Sequence, residues 1–502
     1  MSERRVYGAQ PGTVDTPNWV HDAIFYQIFP DRFAKSDRLD KPHGLEPWGS
    51  DPTTYGYKGG DLLGVVEKLD YLQDLGINAI YLNPIFQSAS NHRYHTHDYF
   101  RVDPLLGGDD AFREMLQACH ERGIRVVLDG VFNHASRGFF QFNDALENGR
   151  SSPWLDWFTF HNFPLNAYDH TIPPGYSAWV GLHALPKFNT DNPQVREYLM
   201  RVGEHWLRQG IDGWRLDVPF EIETPGFWEE FRQRCRAINP NAYLVGEIWR
   251  DSRRWLQGDQ FDATMNYLFT EAALAFCGRD RVRKEFQDDR SYDPWPGIDG
   301  TTYAAKIDHL LGLYDWNVQL AQLNLLDSHD TARALTLLGD DRRSLELATL
   351  LLFTFPGAPS IYYGDEIGLD GGLPDQWARK TFPWKQPERW DRDLHGHYKR
   401  LIGLRTASPA LRSGTYRSLA ATAGSYAFAR ALGTEQFIVA LNTSDGEDLI
   451  DLGDPRIDGG PLLTVGDAPR LEQQESTLSL NLPARSGVVY RSPRDSEASS
   501  NA

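Results

Sequence analysis

Eight short apolar runs, alternating with helical patterns, constrain this chain more than any other feature. They fall at residues 24–29, 79–82, 125–128, 211–218, 243–247, 263–265, 321–325 and 360–363. Runs of that length between helices read as parallel strands buried on both faces. Eight such units in succession predict a (β/α)8 TIM barrel rather than an open doubly wound sheet. An open sheet would usually carry a glycine-rich phosphate loop after its first strand. None follows residue 29.

The spacing breaks once. Residues 134–188 are far more than one helix needs and are rich in aromatics, Pro, Gly and Asn. A long irregular insertion of this kind is usually functional, and it reads as an inserted lobe, a B domain after strand 3. Past residue 408 the pattern changes to short, often alternating runs at 425–431, 435–441, 449–452, 477–482 and 487–490, separated by Gly, Asp, Asn and Pro. These predict a C-terminal antiparallel β-sandwich. The expected organisation is a barrel from 1–133 and 189–407, a lobe from 134–188, a sandwich from 408–494 and a disordered tail from 495–502. At 502 residues the chain is too long for one ordinary core.

Several partner classes drop out. The formal net charge of −18 argues against nucleic acid and anionic membrane surfaces, which need basic patches. The most apolar run, 347–363, is broken by Thr354, Pro356, Gly357 and Pro359. It reads as a helix, a turn and a buried strand, not a membrane span. The three cysteines, Cys119, Cys235 and Cys277, have no metal spacing and an odd count, which fits a reducing compartment. The first residues show no apolar signal core, so a cytoplasmic location is expected.

The chemistry begins at residues 212–218 (DGWRLDV). Alternation puts Arg215 and Asp217 on one strand face and Trp214, Leu216 and Val218 on the other. Asp217 falls at the C-terminal end, where barrels build their sites. The adjacent guanidinium should keep it ionised, as a nucleophile must be. In residues 243–249 (YLVGEIW), Glu247 falls at the same end of the next strand beside Ile248 and Trp249. Apolar surroundings should raise its pKa and keep it protonated. Two acids pushed apart in this way are the pattern of glycoside hydrolysis. The seventh strand ends in Asp327-Ser328-His329-Asp330, and the third runs into Asp129 through His134. One acid at a strand end is usually a cap or turn residue. Four such clusters on separate strands are hard to explain as caps.

These clusters carry a resemblance. Residues 129–134 (DGVFNH), 213–218 (GWRLDV), 246–249 (GEIW) and 328–330 (SHD) resemble, in order, the four sequence blocks of the α-amylase family of glycoside hydrolases. Residues 26–33 (YQIFPDRF), 185–189 (LPKFN), 258–267 (GDQFDATMNY) and 361–368 (IYYGDEIG) are similar to its cyclomaltodextrinase, neopullulanase and maltogenic amylase branch. The resemblance implies a retaining mechanism on α-1,4 links of maltooligosaccharides, cyclodextrins, pullulan or starch, with Asp217 as nucleophile, Glu247 as acid and then base, and Asp330 binding sugar hydroxyls. It implies that His134 and His329 bind the reacting sugar and that Arg215 supports the nucleophile. His92 would contact sugar, and Tyr94 would be a stacking platform. Asp375 and Arg379 would hold the next sugar, while Trp249, Phe188 and Glu221 would line the leaving-group side. No cofactor is needed for this chemistry. The branch has a calcium loop after its first strand, for which Asp37, Asp40, Gly59 and Asp61 could supply oxygens, although Lys35 stands at one ligand position.

Two departures bear on function. Residues 218–221 read Val-Pro-Phe-Glu where the branch often has Val-Ala-Asn-Glu, which alters the acceptor side and the balance of hydrolysis and transglycosylation. The N-terminal β-domain that supports dimers in the branch is not seen, so the reading leaves monomer and homodimer open. The other readings are a glucan transferase or isomerase of the same fold, and a non-catalytic binding protein. The second would have lost the acids that this chain keeps.

Overall fold

The computed structural model describes residues 5–287, 294–453, 456–474 and 477–493. The expected tail at 495–502 lies outside them. The chain divides into two compact units, residues 26–248 with 254–264, and residues 1–25 with 249–253 and 265–502.

The first unit carries strands β1 (Phe25–Ile28, its first residue at the unit's edge), β2 (Ala79–Leu82), β3 (Arg125–Gly130), β4 (Gly213–Leu216), β5 (Tyr243–Gly246) and β6 (Ala263–Thr264). β2 through β6 pair in parallel, with Ala79 opposite Arg125, Val127 opposite Gly213, Gly213 opposite Tyr243 and Val245 opposite Ala263. Register is set by carboxylates at the strand starts. Asp212 accepts the Val126 N–H at 2.9 Å and pairs with Arg125 at 2.7 Å. Asp262 does the same for Leu244, at 2.8 Å, and binds Arg232 and Arg236. Helix Pro193–Gln209 opens with Pro at its first turn, capped by Asn192, and closes on the left-handed Gly210.

The second unit adds β7 (Leu323–Asn324) and β8 (Ala358–Tyr362), which pair in parallel. Eight parallel strands in all define the TIM-barrel class. Each expected run overlaps one: β2 spans its run fully, β3 extends to Gly130, β8 begins two residues early at Ala358, and the other five are shortened. The clearest shortening is in β4, which stops at Leu216 and leaves Asp217 and Val218 in the turn. The 347–363 run is a helix (Arg342–Thr354), a turn and β8, as its breakers require.

The same unit holds antiparallel sheets. All five expected C-terminal runs form strands, and Thr415–Ala421, Leu463–Val465 and Arg470–Gln474 add to them. Alternate residues such as Ala427, Ile438, Ile450, Leu480 and Val488 form the core. The first described residues depart from the expected assignment of residues 1–133 to the barrel. Val6 and Tyr7 pair antiparallel with Arg417 and Tyr416. Two residues have too little pattern to be read as a strand.

Candidate active site

The ends of β3, β4 and β5 converge on one guanidinium. Arg215 is fully buried. Its Nη1 lies 3.0 Å from Asp129 Oδ1 and 2.9 Å from Asp217 Oδ1, and its Nη2 lies 3.0 Å from Glu247 Oε2. The backbone carries the ladder past the strand ends. The Asp217 N–H donates to Gly130 O at 3.0 Å, and the Glu247 N–H to Leu216 O at 2.9 Å. Both acids are thus held by main chain as well as by charge. Glu247 Oε2 also accepts the Val218 N–H at 3.1 Å. Val218 has φ 35° and ψ 50°, a left-handed conformation that is a genuine outlier for a β-branched residue. The turn aims an amide at the second acid directly after presenting the first.

Asp129 completes the cluster. Its Oδ2 accepts from the hydroxyls of Tyr81 at 2.8 Å and Tyr94 at 2.7 Å. Burial pushes the Asp129 carboxyl up from its usual range, against the pull of Arg215 and the two tyrosines. For Arg215 burial works the other way, but the charges of Asp129 and Glu247 outweigh it and hold the guanidinium firmly protonated. Tyr94, read from the sequence as a stacking platform, is therefore also a hydrogen-bonding member of the cluster. Asn83 Nδ2 braces its hydroxyl at 3.1 Å. His92 is half-buried, and its Nδ1 accepts the Tyr94 N–H at 3.2 Å.

His134 begins the lobe, bridged to Lys187 on the returning segment. Burial is the main cause that lowers its pKa to about 3, so it is neutral near pH 7. Its Nε2 is buried with no hydrogen-bond partner among the described residues. Lys187 Nζ binds Glu221 at 2.8 Å, which occupies one of the residues expected on the leaving-group side. Phe188 packs within the lobe. It is buried in the lobe's aromatic core, stacked on Phe158 at 5.5 Å and edge-on to Phe139 at 5.4 Å.

The second unit groups the remaining candidates. Arg379 Nη2 binds Asp375 at 2.7 Å and Asp330 at 3.3 Å, and its Nε donates to His329 O at 2.8 Å. His329 Nε2 lies 3.1 Å from Asp330 Oδ2. Trp249 stacks on Tyr267 with centroids 3.5 Å apart and planes at 6°, which commits one face of the indole.

The calcium donor set does not fit. Asp37 and Asp40 are exposed. The Gly59 N–H donates to Asp31. Asp61 Oδ1 caps a helix through the Gly64 N–H, and its Oδ2 takes the Ser36 N–H at 3.0 Å and the Lys41 ammonium at 3.0 Å. The one buried carboxylate already has its cation. Among the described residues no group of three or more His, Cys, Asp or Glu side chains is arranged to hold a metal.

Sequence reasoning missed Asp129 as a cluster member, the Val218 amide, Lys41 and Lys187. Asp129 was legible in principle, since it shares a motif with His134. The others depend on register and backbone angles that no local pattern encodes.

Residues 27–386 match the model of the α-amylase catalytic domain. A cyclomaltodextrinase from a Bacillus species is 45% identical over 434 residues, 85% of this chain and 73% of that protein. Neopullulanase 2 of Thermoactinomyces vulgaris is 39% identical over 478 residues, 94% of this chain and 78% of its own. The crystal structure of a debranching enzyme from Nostoc punctiforme superposes with a TM-score of 0.87 at 53% identity, over 95% of this chain and 99% of that one. The chain belongs to the α-amylase family and is a glycoside hydrolase.

Proposed function

We propose that the chain is a retaining hydrolase of α-1,4-glucosidic bonds, acting on maltooligosaccharides and cyclodextrins. The observation that carries this reading is the Arg215 cluster. Two carboxyl groups held by neighbouring nitrogens of one guanidinium favour the close spacing of a retaining pair, roughly 5–5.5 Å, over the wider gap of an inverting one. Asp217 attacks the anomeric carbon while Glu247 protonates the leaving oxygen. Glu247 then takes a proton from the water that opens the glycosyl-enzyme. Arg215 and the Val218 N–H hold its Oε2 in place. Asp330, His329, Arg379 and Asp375 take the hydroxyls of the reacting and neighbouring sugars, and His92 and His134 serve the reacting sugar, as the family pattern implies. The names of the relatives support the substrate class. The free, buried cysteines support a reducing compartment, and among the described residues no helix is long and apolar enough to cross a membrane.

The test is a parallel product time course on β-cyclodextrin, soluble starch and pullulan. Cyclodextrin should fall rapidly to maltose and glucose, with the α anomer as first product. Glu247→Gln should slow the reaction by about 10²–10⁴-fold. A β first product would refute retention. Products that stay longer than the substrate when maltose is added would assign the chain to glucan transfer.

A further inference from the structure

Beyond the ends of β7 and β8, two carboxyl groups meet one cation. Asp327, Asp365 and Arg333 are all buried. Asp365 Oδ1 accepts from Arg333 Nη1 at 2.8 Å, and Asp327 Oδ2 accepts the Ala334 N–H at 2.6 Å. No N–H among the described residues reaches Asp327 Oδ1. The Asp365 carboxyl faces Asp327 within hydrogen-bonding reach. Ionised carboxylates only accept, so that contact needs a proton between the two. Charge gives the same answer. Two buried like charges beside one guanidinium do not both ionise, and burial pushes both carboxyls up. The other titratable groups around them are Glu366, a further acid, and Tyr362 and Tyr398, whose hydroxyls burial holds neutral. Arg333 in turn grips a loop. Its guanidinium lies over the rings of Tyr362 and Tyr363, at 4.3 and 4.9 Å. Its backbone N–H donates to Gly371 O at 2.8 Å, and its Nε to Ala378 O at 3.0 Å. Residues 371 and 378 end a loop closed so tightly that a Cβ on Gly371 would clash with Trp377 O. Asp375 lies on that loop, and Arg379 follows it and binds both Asp375 and Asp330.

We propose that Asp327 and Asp365 are positioning residues that share one proton, so that a single negative charge balances Arg333 and fixes the 371–378 loop for sugar binding. This rests on the sugar-binding function proposed above for Asp375 and Arg379. A change to Asn at either position replaces the proton-bearing acid with an amide that donates the same bond and keeps the net charge. In the Glu247→Gln background, Asp327→Asn and Asp365→Asn should each bind β-cyclodextrin within about twofold of the parent by calorimetry. The double variant removes the charge and leaves Arg333 unbalanced. Its affinity should fall at least about tenfold, and with Glu247 restored the loss should appear in KM more than in kcat. Infrared difference spectra at pH 8 report the proton itself, as a carboxylic-acid C=O band present in the parent and lost in both single variants. That measurement stays decisive if the double variant does not fold. Single variants that each lose as much affinity as the double variant, or a parent without the band, would overturn the shared proton. A folded double variant that binds within twofold of the parent would overturn the role of the charge. Absence of hydrolysis by the unmutated enzyme would refute the enzymatic reading, while the infrared spectra would still decide the proton.

Discussion

Arg215 shows what one residue can hold. Three carboxyl groups meet one fully buried cation, and the planar guanidinium can meet them because its donors fan out in a fixed fork. A lysine ammonium is a point charge on a flexible stem and cannot span Asp129, Asp217 and Glu247 together. Arg215→Lys should therefore lower kcat by at least about 10²-fold, because the base and nucleophile lose their shared support. It should also lower Tm, because the ammonium keeps the charge but leaves part of the buried carboxylate cluster without a donor. Steady-state kinetics with thermal melts would check both. A drop in Tm at unchanged kcat would make the arginine purely structural. Part of this cluster was legible, since residues 215 and 217 share a strand face by alternation alone. Asp129 joins only because register sets it opposite Arg215, and register between distant strands is not written in either one. The Val218 amide was not legible either, because a β-branched residue is the last choice for a left-handed turn.

At the scale of elements, the loop after β1 shows how one cation can stand where another is expected. The spacing of Asp37, Asp40, Gly59 and Asp61 matches a calcium loop in outline, and only the fold reveals that Lys41 bends back to Asp61. Burial holds the Lys41 ammonium below its usual pKa, partly offset by Asp61. Because the cation is covalently part of the chain, stability should not depend on a divalent ion. Tm in excess chelator and in millimolar calcium should agree to within about a degree. Lys41→Met should lower Tm in both, since it leaves the buried Asp61 unpaired. A Tm that rises with calcium in the unmutated protein would refute the exchange. The lobe was legible as an insertion but not as structure. Its ladder consists of isolated bridges such as His134 with Lys187 and Phe158 with Phe188, too short for any period.

At the scale of the molecule, three histidines, His134 and His397 buried and His95 half-buried, tie stability to pH. Burial is the main cause in each, lowering His95 to about 4, His134 to about 3 and His397 to about 4 from an ordinary 6.5. The unfolded chain takes up these protons first, so the stability they represent is whole above pH 6.5 and is lost as pH falls toward the folded values. The buried Asp327 and Asp365, whose carboxyls burial pushes up, act in the opposite sense, since the folded state holds their protons longer. A single melting profile therefore mixes both signs, and a difference between two proteins separates them. His397 is remote in sequence from every candidate catalytic residue, and its Nε2 meets Glu346 O at 3.1 Å and Thr349 Oγ1 at 3.0 Å. A glutamine amide can serve those partners without titrating. His397→Gln should be less stable than the parent at pH 8, and the gap should close by about 2 kcal/mol by pH 5, at about 1.4 kcal/mol per pH unit below 6.5. Denaturant unfolding of both proteins across that range measures the gap directly. A gap that stays constant with pH would mean that His397 takes up its proton equally in the folded and unfolded states, and that burial does not set its charge.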